Sequence, residues 1–577
     1  MGGEIWEGAL MPNAATITIR ETLELLDGPY AGVSAGVSQG AYGFWLGSGI
    51  SRDRIVGLDG VLAKLLEFLR SHEAGAPGCP YHDALTTIIN MAAPNAGERA
   101  LINYATPVNS WGCLPDLLKR LWKQYAAVLS VPFGNERSDY LVWEGLDFTH
   151  TFAGQEADAE HLAIGMLALE GAVTELASAN WDGLLEAAIE ELGHGSNFYR
   201  ITVTGEDLRQ GAANATLYKF HGCALRAIEH EDTYRPLIVA RSAQISGWNT
   251  NQKFKIVRDQ LSAVVQRQRT LMIGLSAQDA NIKHLFAAAN QQQGWQWNAQ
   301  PAPIVISAQD LENDQRELLS LVYQEDVYEA HRQDICESAR LQAYAKPLLL
   351  ALLLQVMALK LEVLASDVNA PNLDSTAREA FSVGIRRLRD RAAEAGNDDR
   401  AKFARAIAAT SARALHQLRD GNSPAGGQIY YPLDVQPAHL MKGKLALKST
   451  GQREAAAGLG LIGLGEASEA WAVSLDDPFD SRSGALRLVS QQSSTRVFFA
   501  ADDDKITSLL ESGAFDEEEG DVVVICSGRI STRQQRSPRG GWRDGNVGPR
   551  YLPLGPMLYE INNIDELQER FRGEIGL

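Results

Sequence analysis

Glycine and serine cluster in the segment "WLGSGIS", directly after a run of apolar residues. Gly47 and Gly49 permit a tight turn at this point, and they let backbone N–H groups approach a pyrophosphate. A helix is predicted to follow, and its N-terminus adds partial positive charge. Ser48 and Ser51 supply hydroxyl groups, and Ser51 either caps that helix or donates to a phosphate. The pattern therefore fits an ordinary strand-to-helix turn or a phosphate cradle.

Two further segments place an amide, a carboxylate and an imidazole after apolar runs. "SANWD" holds Asn180 and Asp182, and "KFHG" holds His221. An amide can hold a water molecule or a sugar hydroxyl because it both donates and accepts hydrogen bonds. An imidazole, with an ordinary pKa of about 6.5, can take a proton near neutral pH. Each residue also has a structural alternative: Asn180 can stabilise its own turn, and His221 can simply end a strand.

A fourth segment, "GLSAQDANI", lies at another predicted strand-to-helix junction. It holds Gly274, Ser276, Asp279 and Asn281. These residues are candidates for ligand binding. Asp279 and Asn281 have the equal alternative of capping the helix that begins there.

The elements that must position these groups are predicted from hydrophobic periodicity. Short apolar runs alternate with helical patterns through the first three hundred residues, which indicates parallel βαβ units and a Rossmann-like, doubly wound α/β sheet. In such sheets ligands bind beyond the carboxyl ends of the strands, where all four polar segments are expected. The predicted strands are 42–47, 173–179, 216–222, 236–241, 270–276 and 302–307.

The remaining chain is predicted to add helices and a second, smaller α/β domain. Its strands are expected at 495–501 and 521–527, flanking a helix that starts near Asp502. The apolar segment "PLLLALLLQVMALKLEVL" is too short before its first polar residues to span a membrane, so a buried helix is predicted. The predicted organisation is a first domain over 1–328 with a helical insertion at about 83–171, a helical region over 329–420, a turn-rich linker over 420–428 and a C-terminal domain over 429–577.

Composition limits the partners and the compartment. The formal net charge is -19, so an acidic surface disfavours direct nucleic-acid binding by this chain alone. The five cysteines form no C-x-x-C pair, which favours a reducing cytoplasm and disfavours a four-cysteine zinc site. The first fifteen residues show no secretion signal pattern. We therefore predict a cytoplasmic protein that does not enter a membrane and binds no metal.

Two other segments carry suggestive patterns. "GLGLIG", 458–463, matches a dinucleotide-binding spacing but follows no predicted strand, so we predict a loop. The stretch "GRISTRQQRSPRGGWRDGNVGPR" is rich in arginine, and it is either a solvated loop or a site for a phosphate-bearing ligand or an acidic partner.

The four polar segments, taken in this order and spacing, resemble the motifs of the sirtuin family over roughly Thr16 to Tyr328. "GSGIS" resembles its nucleotide loop, "SANWD" its asparagine motif, "KFHG" its catalytic histidine motif and "GLSAQDANI" a later ribose-binding loop. The resemblance implies that Asn180 and His221 act in catalysis, while Asp182 orients the ribose or supports the histidine. It implies NAD contacts by Gly47, Ser48, Gly49, Ser51, Asp182, Gly274, Ser276, Asp279 and Asn281.

Two departures from zinc-dependent sirtuin deacylases refine this implication. The chain lacks their two C-x-x-C pairs, and a helical insertion precedes Asn180. Both features are similar to sirtuin-like effectors of bacterial antiphage systems, which degrade cellular NAD. The resemblance thus implies an NAD glycohydrolase without zinc, acting in abortive infection, controlled by a sensor or activator protein encoded nearby and working as a homo- or hetero-oligomer. The alternatives are an NAD-dependent deacylase, an ADP-ribosyltransferase and a non-catalytic sensor of NAD or ADP-ribose.

Overall fold

Seven parallel strands form the larger of two sheets in the computed structural model. The structure describes residues 13–75, 78–154, 156–195, 197–211, 213–424, 429–433, 450–491, 493–530 and 548–576. The strands of this sheet are β1 Tyr42–Leu46, β2 Glu175–Ser178, β3 Tyr199–Thr202, β4 Ala215–Lys219, β5 Arg269–Ile273, β6 Ile304–Ser307 and β7 Arg340–Leu341. Their order is β3-β4-β2-β1-β5-β6-β7. Every residue of the central strand β1 is buried, as expected for a parallel sheet covered on both faces.

Helices cover the sheet and fill most of the remaining chain. The predicted insertion contains α4 to α10, with no strand among its described residues. In chain order the helices are α1 Ile19–Asp27, α2 Ala31–Ser38, α3 Leu58–His72, α4 Pro80–Met91, α5 Ala96–Leu101, α6 Leu114–Trp122, α7 Tyr125–Val128, α8 Tyr140–Trp143, α9 Phe148–Phe152, α10 Ala159–Leu169, α11 Leu184–Glu191, α12 Ala224–Glu229, α13 Glu231–Tyr234, α14 Ser242–Gly247, α15 Lys255–Arg267, α16 Ala280–Gln293, α17 Asn313–Tyr323, α18 Glu325–Ala339, α19 Ala345–Ser366, α20 Ser375–Ala395, α21 Arg400–Asp420, α22 Gln452–Ala467, α23 Asp503–Glu511, α24 Leu554–Glu560 and α25 Ile564–Ile575.

The strand order reverses at β1. The chain runs from β1 to β2 on one side of it, and later returns to place β5 on the other side. Register aligns the carboxyl ends: Leu46 is opposite both Ser178 and Ile273, and Ser178 is opposite Lys219. The turns that follow β1, β2, β4 and β5 therefore start at one edge of the sheet, at the switch point where doubly wound folds bind ligands.

Five of the six strands predicted for this sheet are confirmed, and the strand predicted at 236–241 is wrong. A short 3₁₀ turn occupies Arg235–Leu237, and the apolar residues after it are buried without joining the sheet. Their burial explains the strand-like pattern. The backbone N–H of Val239 donates to the His221 carbonyl at 2.9 Å, so this segment covers the end of β4.

The apolar helix α19 is buried, as predicted. Among the described residues it is the one helix long and apolar enough to cross a membrane. However, 72% of its most apolar 18-residue stretch is buried inside the protein. Its first half, Leu348 to Val356, belongs to the hydrophobic core around the large sheet. Ala358, Leu364 and Ala365 belong to a second core. One helix therefore contributes to both cores.

The second core lies beside a smaller mixed sheet, which confirms the predicted C-terminal α/β fold. Strands β10 and β11 and helix α23 confirm the predicted elements there, and the side chain of Asp502 caps α23. The sheet order is β12-β11-β10-β9-β8, with β10 to β12 parallel and β8 and β9 antiparallel. The strands are β8 Ala472–Leu475, β9 Leu486–Val489, β10 Ser494–Ala500, β11 Val522–Cys526 and β12 Arg550–Pro553.

The loop predicted for "GLGLIG" is wrong, because this segment lies inside helix α22. Its glycines bring α22 against α20: a Cβ atom on Gly384 would collide with the carbonyl oxygen of Gly460, and one on Gly463 with that of Gly384. Glycine here serves close helix packing instead of a turn. Residues 425–428 of the predicted linker and 531–547 of the arginine-rich segment lie outside the described residues, and the predicted domain boundaries stay a prediction.

Candidate active site

The turn after β1 is built against the turn after β5. Ser48–Ser51 form a 3₁₀ turn, and the N–H of Gly49 donates to the Gly274 carbonyl at 3.1 Å. A Cβ atom on Gly47 would collide with that carbonyl, and one on Gly49 would lie 2.6 Å from the Cα of Gly274. Gly274 itself has a φ of +67°. The glycines of both segments are thus required for direct backbone contact between the two turns.

A buried hydrogen-bond chain joins the β1 turn to the β2 turn. Nδ2 of Asn180 donates to the Gly47 carbonyl at 3.2 Å and to Oγ of Ser51 at 3.1 Å. Oγ of Ser51 in turn donates to Oδ2 of Asp182 at 3.0 Å. All three side chains are buried. The amide oxygen of Asn180 accepts no hydrogen bond from the part of the chain that the structure describes, so it is the group left for a ligand or water.

The β5 turn crosses the sheet edge to reach the end of β4. Nε2 of His221 lies 2.8 Å from Oδ2 of Asp279, although β2 and β1 separate their strands. Oδ1 of Asp279 also accepts from the Asn281 N–H at 2.8 Å and caps α16. Burial alone would raise the pKa of Asp279, but the imidazole and the Asn281 N–H hold it below its ordinary value. Asp279 therefore caps the helix and contacts the histidine at the same time.

The structure brings most of the predicted site residues together. Hydrogen bonds and close approach connect the turns that carry Gly47, Gly49, Asn180 and Gly274, while His221 and Asp279 complete the same edge. Ser48 and Ser276 are exposed on these turns. Asn281 is buried, and its Nδ2 donates to the Ile245 carbonyl at 2.8 Å, so that its amide nitrogen holds α14 against α16.

Several polar residues beside the site were missed from the sequence. The hydroxyl of Tyr344, just before α19, occupies the position where a Cβ atom on Gly49 would lie. Lys346 contacts Asp53 and lies 2.9 Å from Asp158. The two-residue strand β7 that leads into this segment is too short to stand out from the helical pattern around it.

Two titratable groups open the otherwise apolar helix α10. His161 is fully buried, and burial lowers its pKa to about 4 despite the nearby carboxylates of Asp182 and Asp158. Burial raises the pKa of Glu160 to about 8, although Lys346 opposes the shift. In the sequence, a glutamate and a histidine within the otherwise apolar segment "AEHLAIGMLAL" are the pattern from which these buried groups could be predicted.

The three acids Asp53, Asp158 and Glu160 lie close enough together to hold a cation. The ammonium group of Lys346 contacts Asp53 and Asp158 and lies 3.9 Å from Glu160, so it already supplies positive charge to all three. Cys223, the cysteine nearest the histidine motif in sequence, is buried and free.

Comparison with known families assigns part of this region. Residues 174–328 match the family model of the SIR2-like domain. The chain contains a SIR2-like domain. The match includes Asn180, Asp182, His221 and Asp279, and it confirms the predicted sirtuin resemblance. SIR2-like domains bind NAD and belong to an NAD-related enzyme family. No curated protein matches the chain.

Proposed function

We propose that this protein is an NAD glycohydrolase that releases nicotinamide and ADP-ribose. The contact between His221 and Asp279 is the observation that carries the proposal. This contact brings the β5 turn to the end of β4. The amide of Asn180 and the imidazole of His221 then lie along one edge of the SIR2-like domain, together with the carboxylates of Asp182 and Asp279. This combination suits cleavage of a bond between a sugar and a cationic ring nitrogen.

Departure of nicotinamide requires charge stabilisation more than proton donation. The pyridinium nitrogen takes the electron pair of the broken bond, so nicotinamide leaves as a neutral molecule. Positive charge grows on the ribose as an oxocarbenium ion, and fixed carboxylates stabilise such a cation without rearranging. Asp182 and Asp279 supply this negative charge at the site.

Water then attacks the anomeric carbon, and its proton passes to the protein. Because Nε2 of His221 lies 2.8 Å from the carboxylate of Asp279, Nδ1 is the ring nitrogen that takes the proton. Asp279 holds the ring orientation and stabilises the imidazolium, as a carboxylate does for histidine in other hydrolytic sites. The amide oxygen of Asn180 accepts a hydrogen bond from the water or from a ribose hydroxyl.

Uncontrolled NAD cleavage harms the cell that contains the enzyme, so regulation is part of the proposal. The sirtuin-like resemblance supports an antiphage role in the cytoplasm, through abortive infection. It also supports control by a partner protein or signal, and assembly into a homo- or hetero-oligomer.

The decisive experiment incubates the purified full chain with NAD, alone and with the products of neighbouring genes, and separates the products by chromatography. We expect equal amounts of nicotinamide and ADP-ribose from the wild type, and none from Asn180→Ala or His221→Ala. The control is His284→Ala, which removes an exposed histidine on α16. Turnover that requires an acyl-lysine peptide would instead indicate a deacylase. Transfer of ADP-ribose to protein would indicate an ADP-ribosyltransferase, and binding of NAD without turnover would indicate a sensor.

A further inference from the structure

A buried lysine connects the two turns that carry Asn180 and His221. Lys219 is the last residue of β4 and is 1% exposed. Its Nζ contacts the backbone carbonyl of Asp182 and lies 2.7 Å from Oε1 of Glu186, in the first turn of α11. Glu186 is buried as well.

Such an arrangement is costly unless both charges are satisfied. Removing an ammonium group from water is unfavourable, and only close negative charge and hydrogen bonds offset the loss. Burial disfavours the charged form of Lys219, but the negative groups around it, Glu186 among them, raise its pKa above the ordinary value. The lysine therefore stays charged, and its fixed ammonium group holds whatever it contacts.

The two residues that this contact joins, Lys219 and Asp182, lie close in sequence to the two proposed catalytic residues. Lys219 precedes His221 by two residues, and Asp182 follows Asn180 by two. The N–H of Ala224, the first residue of α12, donates to the Trp181 carbonyl at 2.8 Å, so the consecutive carbonyls of Trp181 and Asp182 both bind the segment that contains His221. The ammonium group of Lys219 makes the side-chain contact of this pair.

We infer that Lys219, held by Glu186, is a positioning residue that fixes Asn180 relative to His221. The inference rests on the proposed NAD hydrolysis for its kinetic consequence. A small displacement of a positioned group costs turnover more than substrate binding, because only the reacting geometry is lost.

The test compares Lys219→Met with a matched control, Lys360→Met. Lys360 is also buried, and its ammonium group likewise contacts a backbone carbonyl and a carboxylate, both of Glu170. We expect Lys219→Met to lower kcat by about 100-fold with little change in KM for NAD, because a displacement of about 1 Å of a positioned group has an effect of this size. Lys360→Met should retain wild-type kcat at temperatures where it is folded. Equal kcat losses in the two variants would overturn the inference.

A second variant covers the case in which Lys219→Met does not fold. Lys219→Met combined with Glu186→Leu leaves no unpaired buried charge, so the pair should fold while kcat stays low. Full turnover in the double variant would contradict the positioning role.

Hydrogen–deuterium exchange over residues 179–184 provides a readout independent of activity. Exchange there should rise in the Lys219 variants and stay unchanged in Lys360→Met. If the wild type shows no NAD cleavage but this exchange pattern holds, the proposed reaction fails and the positioning role stands. If exchange is unchanged in every variant, the positioning role fails.

Discussion

Nε2 of His221 and Oδ2 of Asp279 lie 2.8 Å apart, although their strands are separated by two others in the sheet. The β5 turn must cross the ends of β1 and β2 to make this contact. The contact therefore closes a ring of turns around the carboxyl ends of four strands, and it gives the histidine a charged partner.

Replacing Asp279 by Asn should slow NAD cleavage without unfolding the protein. Asparagine caps helices as well as aspartate does, so α16 should keep its N-terminus. The negative charge beside His221 would be lost, and we expect kcat to fall by about 10- to 100-fold. Steady-state kinetics and a melting curve measure the two effects. Asp310→Asn, at an exposed carboxylate, is the control; wild-type kcat in Asp279→Asn would disprove the role of the carboxylate.

Loss of the Ser51 hydroxyl should destabilise the site more than loss of the neighbouring Ser48 hydroxyl. Ser51→Ala leaves Oδ2 of Asp182 without its buried donor and removes one of the two hydrogen bonds that the amide nitrogen of Asn180 donates, which costs about 1–3 kcal/mol. Ser48 is exposed, so Ser48→Ala should change the unfolding free energy by less than about 0.5 kcal/mol. Urea denaturation compares the two, and equal values would show that the chain of hydrogen bonds contributes little.

Gly49→Ala should disrupt the contact between the β1 and β5 turns. The added methyl group would meet both the Tyr344 hydroxyl and the Cα of Gly274, and we expect a loss of about 1–3 kcal/mol. Adding Tyr344→Phe removes the first collision only, so it should restore part of the stability. Gly57→Ala, which meets no described atom within 4 Å, is the matched control from the same loop. A Gly49→Ala protein as stable as Gly57→Ala would contradict the close approach.

The stability of the protein should fall as the pH rises through the titration of Glu160. Burial raises the pKa of Glu160 to about 8, against an ordinary value of 4.5, so the folded protein holds a proton that the unfolded chain releases. This contribution is complete below pH 4.5 and is lost as the pH rises through 8. Lys346, Asp158, Asp53 and Arg400 are charged groups that interact with it.

Glu160→Gln should remove this dependence, because glutamine is neutral at every pH. We expect the variant to be more stable than the wild type above pH 8 by about 1–3 kcal/mol, with the difference vanishing below about pH 4. Urea denaturation at pH 4, 7 and 9 measures it, and the exposed carboxylate Glu156 provides the control Glu156→Gln. A difference that does not depend on pH would refute the assignment.

Much of the site was predictable from the sequence because its groups follow buried strands. Apolar runs before Asn180 and His221 marked the strand ends, and parallel topology placed those ends at one edge. The contact of Asp279 with His221 was not predictable, since the capping pattern describes only the start of α16 and not the path of the turn before it. Local pattern also could not show that Tyr344 lies against Gly49, because that contact joins segments almost three hundred residues apart.

The errors in the fold have a common cause. In "PLIVAR" the apolar character reflects burial over the end of β4, and in "GLGLIG" the glycines reflect contact with α20. An apolar residue in the sequence indicates only that its position is buried, and a glycine only that other atoms pack closely against it. Whether the enclosing neighbour is a strand or a helix depends on distant parts of the chain.

Helix α19 contributes residues to both hydrophobic cores, and this limits how such a protein can change during evolution. A domain that shares no hydrophobic core with its neighbour can be exchanged by recombination as an independent folding unit. Here the helix that begins at the Tyr344 end of the site also supplies Leu364 and Ala365 to the other core. An incoming C-terminal half would have to match that surface, so the two halves are expected to be inherited together.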